Sequence, residues 1–152
     1  MDFMVCLRDG GGTVRQNSQA TPRAGASPSW ATRALMTYVL GGVGAHELIA
    51  WGPACNRGYM VRPLQEYFAH VVATDAYDYG QNLQLDFLTI TKGEIPHPVH
   101  WVITNPPYHL AQDFIMKALD ISDMGVAMLV RTNFLEGKKR FEQLFKYLPP
   151  TV

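Results

Sequence analysis

Short apolar runs alternate with amphipathic stretches along most of this chain, and the alternation predicts strands and helices in turn. Leu48-Ile49-Ala50-Trp51 is such a run. It breaks at Gly52-Pro53-Ala54-Cys55-Asn56-Arg57-Gly58, a turn of mostly small residues, and a helical stretch follows over residues 59–68. Val71-Val72-Ala73-Thr74 reads as a second buried strand ending in Asp75, and Leu85-Asp86-Phe87-Leu88 as a short strand or strand end. Trp101-Val102-Ile103-Thr104 then stops abruptly at Asn105-Pro106-Pro107-Tyr108, because proline cannot donate to a sheet ladder and restricts the residue before it. Beyond that tip, Leu110, Phe114, Ile115, Ala118 and Leu119 share one face of a helix over residues 109–121. Val126-Ala127-Met128-Leu129-Val130 is the next buried strand, and residues 138–147 read as a basic amphipathic helix with Phe141, Leu144 and Phe145 inward.

Ahead of these elements, order is expected to begin near Pro28. Ser27 or Ser29 can cap a helix carrying Trp30, Ala34, Leu35, Tyr38 and Val39 on one face, which Gly41-Gly42 stops. The alternation implies an α/β fold, a doubly wound and mostly parallel sheet with right-handed crossovers. Residues 8–27 are rich in Gly, Ser, Thr, Gln and Arg and have little to bury, so residues 1–27 are expected to form a flexible arm and residues 28–152 the folded domain. Arg8, Arg15 and Arg23 in that arm can meet phosphates, although a tail without function is the simpler reading.

Composition narrows the classes. A chain of 152 residues holds one domain with a real core, and 47% hydrophobic with 17% charged residues is a soluble globular balance. Formal net charge is zero, which argues against tight non-specific nucleic-acid binding through excess positive charge. Cys6 and Cys55 have neither metal-ligand spacing nor a disulfide framework, and no apolar stretch is long enough to span a bilayer, so a reducing, cytoplasmic location is expected. His97 and His100 lack partners at ligand spacing; no metal site is expected.

The candidate chemistry lies at the carboxyl ends of the strands, where open α/β sheets bind ligands. The Asn105 amide oxygen and a nearby backbone carbonyl can accept both protons of an amino group conjugated to a ring, while Tyr108 offers a stacking face. The turn from Gly52 to Gly58 lacks the GxGxxG spacing of dinucleotide binders, which disfavours a nicotinamide cofactor. Asp75, seventeen positions after Gly58, is placed to accept hydrogen bonds from both ribose hydroxyls of a nucleoside cofactor. Asp86 can accept from an amino group while Phe87 packs on a flat ring, and Arg131, Thr132 and Asn133 fall at the tip of the last strand.

Taken together, residues 30–152 resemble the class I methyltransferases that use S-adenosylmethionine, and among them the phage-like enzymes that methylate adenine in DNA. Asn105-Pro106-Pro107-Tyr108 matches that family's catalytic signature, with Asn rather than Ser at its first position pointing to adenine. The resemblance implies a cofactor site of Pro53, Ala54, Cys55 and Gly58 in the loop, Asp75 at the ribose, Asp86 and Phe87 at the cofactor's adenine, Asn105 at the reacting end and Thr32 over the methionine end. It also implies DNA as partner, with transfer to the exocyclic amine of adenine by direct in-line attack. RNA adenine or a protein glutamine amide remain alternative acceptors, and a non-catalytic truncated remnant that at most binds the cofactor is a further alternative. Two departures stand out: Gly52 where the family loop carries an acid, and Asn56 where it carries a glycine, although Asn tolerates a left-handed backbone. The family fold ends with two more strands, one antiparallel, so the sheet is expected to lack its last strands and to leave an open edge that a partner or a second copy covers.

Overall fold

The central strands carry side chains that are apolar in both directions, and they are buried on both faces. The computed structural model describes residues 2–8, 28–41, 45–95 and 98–150. Its strands are β1 (Asp2–Arg8), β2 (Ile49–Pro53), β3 (His70–Asp75), β4 (Leu83–Gln84), β5 (Trp101–Thr104) and β6 (Gly125–Arg131), and its helices α1 (Ser29–Ala34), α2 (Val61–Leu64), α3 (Ala111–Ile121) and α4 (Lys138–Arg140). They build one six-stranded sheet in the order β1-β6-β5-β2-β3-β4. The strands from β2 to β6 are parallel, and β1 alone runs antiparallel.

The two-residue period of a strand divides the core into two layers. Val102, Val126, Met128 and Val130 face the layer that holds Phe114, Ile115 and Ala118 of α3. Trp101, Ile103 and Ala127 face the other, beneath Leu35 and Met36 after α1 and Val61 and Leu64 of α2. Helices therefore cover both faces, and the expected doubly wound α/β architecture is what the chain adopts.

The arm expected over residues 1–27 is corrected at its start. Asp2–Arg8 pairs with β6 along its whole length, from Asp2 against Arg131 to Arg8 against Gly125. Phe3-Met4-Val5-Cys6-Leu7 is an apolar run of strand-forming length, and the polar stretch after it had masked that signal. The edge of β6, expected to be open to a partner or a second copy, is thus filled by the chain's own β1. The antiparallel neighbour that the resemblance expects from the C-terminal end of the fold comes here from the N-terminal end. The rest of the arm over residues 9–27, the stop at Gly42 and the loop histidine His97 lie outside the described residues.

Other elements depart from the expected pattern for local reasons. α1 starts at Pro28 without a side-chain cap, and it continues into a π-helical turn over Leu35–Val39 that ends at Gly41, where φ is 75°. Thr32, Leu35 and Met36 point inward, while Trp30 and Tyr38 are exposed. A second π-helical turn, Phe141–Phe145, closes with the Lys146 N–H donating to the Phe141 carbonyl at 2.8 Å. The wider turn rotates Phe141 away from the face shared by Leu144 and Phe145, leaving it 56% exposed instead of inward. The strand expected at residues 85–88 forms at Leu83–Gln84 instead, and Asp86 opens a turn. His100 flanks β5, where its Nδ1 accepts the Ile49 N–H at 2.9 Å and ties the entries of two strands. Among the described residues no helix is long and apolar enough to cross a membrane.

Candidate functional site

Parallel strands deliver their carboxyl ends to one edge, and the tips of β2, β3 and β5 meet there around a cavity of about 720 Å³. The turn leaving β2 forms one wall. Ala54, Asn56 and Gly58 adopt left-handed φ values of 56°, 49° and 77°, so Asn56 does hold the conformation in which the resemblance expects glycine. For Ala54 this costs on the order of 1–2 kcal/mol, which the surrounding bonds must offset.

Those bonds come mainly from the end of β3. The Cys55 N–H donates to the Thr74 carbonyl at 3.0 Å, and Gly58 N–H to the Cys55 carbonyl at 2.9 Å. Asp75 then receives the Asn56 N–H on Oδ2 at 2.9 Å and the Tyr77 N–H on Oδ1 at 3.0 Å. Asp75 as a residue is only 8% exposed, and two backbone donors to its carboxylate are what make that burial tolerable. Below it, Trp51 Nε1 donates to Thr74 Oγ1 at 2.9 Å, and the buried Thr104 hydroxyl donates to the Pro53 carbonyl. The turn leaving β2, the end of β3 with Asp75, and Thr104 at the end of β5 are therefore one hydrogen-bonded unit.

Asn105, Pro106, Pro107 and Tyr108 all line the cavity, as do Asp75, Asp86 and Phe87. Asn105 and Tyr108 are half-buried and Pro107 is exposed. Asp86 uses Oδ1 to accept the Leu88 N–H at 3.0 Å, which fixes the turn that presents it. Phe87 is 2% exposed, edge-on to Trp51 at 5.3 Å and tilted against Phe114 at 5.1 Å, so the cavity's apolar wall is continuous with the core. Ala54 and Cys55 also line it. Burial, and then the negative charge of Asp75, push the Cys55 thiol up to about 11, which keeps it protonated at neutral pH.

Not every expected residue joins the cavity. Pro53 and Gly58 shape the loop without lining the space, and Thr32 sits fully buried on the inner side of α1, its hydroxyl without a hydrogen-bond partner among the described residues. Conversely, Tyr59, Tyr77 and Tyr79 form an aromatic rim that sequence reasoning had not assigned. Their signal was there: Tyr77 and Tyr79 follow a strand-terminal acid at two and four positions. No protein-family model and no curated protein matches the chain. What identifies the site is therefore its own geometry. Among the described residues no three His, Cys, Asp or Glu side chains come together to hold a metal ion.

Proposed function

We propose that this protein is an S-adenosylmethionine-dependent methyltransferase acting on the exocyclic amino group of adenine in DNA. The observation that carries the reading is the convergence of the Asn105-Pro106-Pro107-Tyr108 tip with Asp75, Asp86 and Phe87 on one cavity. Its volume of about 720 Å³ falls within the range of small-molecule sites.

The residues fit the cofactor. Asp75 spends one lone pair of each oxygen on the loop and keeps accepting capacity for ribose hydroxyls, since a carboxylate has about four acceptor sites. Asp86 offers an acceptor for an amino group, and Phe87 a flat apolar wall. When bound, S-adenosylmethionine supplies an electrophilic methyl group.

The chain's own groups prepare the nucleophile. The Asn105 side-chain oxygen and the Pro106 carbonyl accept the two amino protons, which raises electron density on the nitrogen and holds its lone pair in line. Tyr108 stacks on the base, which must leave the duplex to reach the cavity. No general base of shifted acidity is needed. The lack of basic excess leaves room for RNA adenine or a protein glutamine amide as the alternative acceptors. This reaction belongs in the cytoplasm, in keeping with a buried, reduced Cys55.

The test is transfer of labelled methyl from S-adenosylmethionine to unmethylated duplex DNA, followed by digestion to nucleosides. Label in methyladenine is expected. Label appearing only with RNA or a glutamine peptide would change the acceptor, and none with any acceptor, in folded protein, would remove the activity and leave cofactor binding as the question.

A further inference from the structure

The tip of β6 adds a residue to this site that no part of the reading above requires. β5 and β6 are parallel, with Thr104 opposite Met128, so both strands release their chains at the same edge. Tyr108 leaves one and Arg131 ends the other. The Arg131 guanidinium carbon lies 4.3 Å from the centroid of the Tyr108 ring, well inside the distance at which a cation is drawn to an aromatic face. Tyr108 lines the cavity and Arg131 does not, so the guanidinium reaches the ring from outside the cavity lining.

The backbone beneath Arg131 is held from both directions. Upstream, the residue is in the β1–β6 ladder opposite Asp2. Downstream, Thr132–Leu135 forms a turn whose Asn133 and Phe134 carbonyls accept bonds from Arg140 Nη1 at 3.3 and 3.0 Å. Arg140 also lies 4.6 Å from the Phe134 ring, and Phe134 meets Phe145 edge-on at 6.0 Å. Arg140, expected on a solvated basic face, is thus spent on securing this turn.

We propose that Arg131 is a positioning residue that fixes the plane of the Tyr108 ring and so presents its cavity face to a purine. The inference rests on the adenine reading of the site. A planar guanidinium does this better than an ammonium, because it stacks over the whole ring and stays charged at every working pH.

Three variants test it: Arg131→Met, which keeps the stem and loses the charge, Arg131→Lys, which keeps the charge and loses the plane, and Tyr108→Leu, which removes the ring. In the wild type, the Arg131 side-chain protons should show an upfield ring-current shift by NMR that Tyr108→Leu abolishes. With duplex DNA as acceptor, kcat should fall about two- to fivefold in Arg131→Met, the size expected for an exposed cation–ring contact, with KM for S-adenosylmethionine unchanged and partial recovery in Arg131→Lys. A wild-type kcat in Arg131→Met, or a fall matched by a rise in KM for S-adenosylmethionine, overturns the proposal. If the wild type methylates nothing, the function fails separately, and the role of Arg131 is decided by binding of an adenine-rich single-stranded oligonucleotide. Weakening of about two- to fivefold in Arg131→Met supports it there, and unchanged binding refutes it.

Discussion

At the level of single residues, the site separates groups that touch a ligand from groups that hold them. Asn105 is the one side chain whose amide oxygen the proposed chemistry cannot replace, because the Pro106 carbonyl alone accepts only one of the two amino protons. Asn105→Ala is expected to lower methyl transfer by roughly a hundredfold or more, in the range of losing one preorganised hydrogen-bond partner. Cofactor affinity by calorimetry should stay within about threefold, since the ribose and adenine contacts lie elsewhere. A variant that transfers at the wild-type rate would show that the tip does not act on an amino group.

Cys55 makes a different residue-level prediction. Its folded-state value, about 11 against an ordinary 9.0, means that folding favours the protonated thiol. That contribution is complete below pH 9 and is lost as pH rises towards 11. The stability gap between wild type and Cys55→Ala, from urea titrations at pH values from about 8 upward, should therefore narrow by up to about 2 kcal/mol. A gap that stays constant would mean that the thiol is not desolvated.

Between elements, Asp75 is the point where the ends of β2 and β3 are joined. Its carboxylate satisfies amides on both sides, from Asn56 and Tyr77, and compensates a loop that holds Ala54 in a left-handed conformation. Removing it leaves those donors unmatched near a buried site, at a cost of about 2–4 kcal/mol for Asp75→Ala by denaturant unfolding, with loss of cofactor binding. A variant that lost binding but kept full stability would limit Asp75 to ligand contact. Element boundaries also explain the misplaced aromatics. Tyr38 and Phe141 were assigned inward on a 3.6-residue period, and π-helical turns at Leu35–Val39 and Phe141–Phe145 change that period locally.

For the molecule as a whole, the sheet is closed at β6 by a strand from the far end of the chain. A parallel sheet with a bare edge presents unpaired amides and carbonyls to any neighbouring strand. Deleting residues 2–8 should therefore lower Tm by several degrees, as loss of about 1–2 kcal/mol does in a domain of this size, and should produce concentration-dependent association by light scattering. A monomeric variant of unchanged Tm would show that β1 contributes nothing to the fold. Because Asp2 pairs with Arg131, the same deletion should weaken the ring-current shift expected at that arginine.

The sequence by itself determined the fold class and the centre of the site. Apolar runs that break at Gly52-Pro53, Asp75, Asn105-Pro106 and Arg131 are intelligible without neighbours, because a buried parallel strand must be apolar on both faces and must stop where the ladder can no longer form. Asn105 and Asp75 were legible for the same reason, as polar residues at the ends of those runs, whereas Asp86 stood out as an acid inside a short apolar stretch. Only the tertiary structure decided what lies beside them. Pairing of β1 with β6, the guanidinium on Tyr108 and the Asn56 amide on Asp75 are contacts between segments distant in sequence, and the exclusion of Thr32 from the cavity follows from how such segments pack. Periodicity describes one segment at a time; it carries no information about which backbone donor or which ring will be opposite once the sheet has closed.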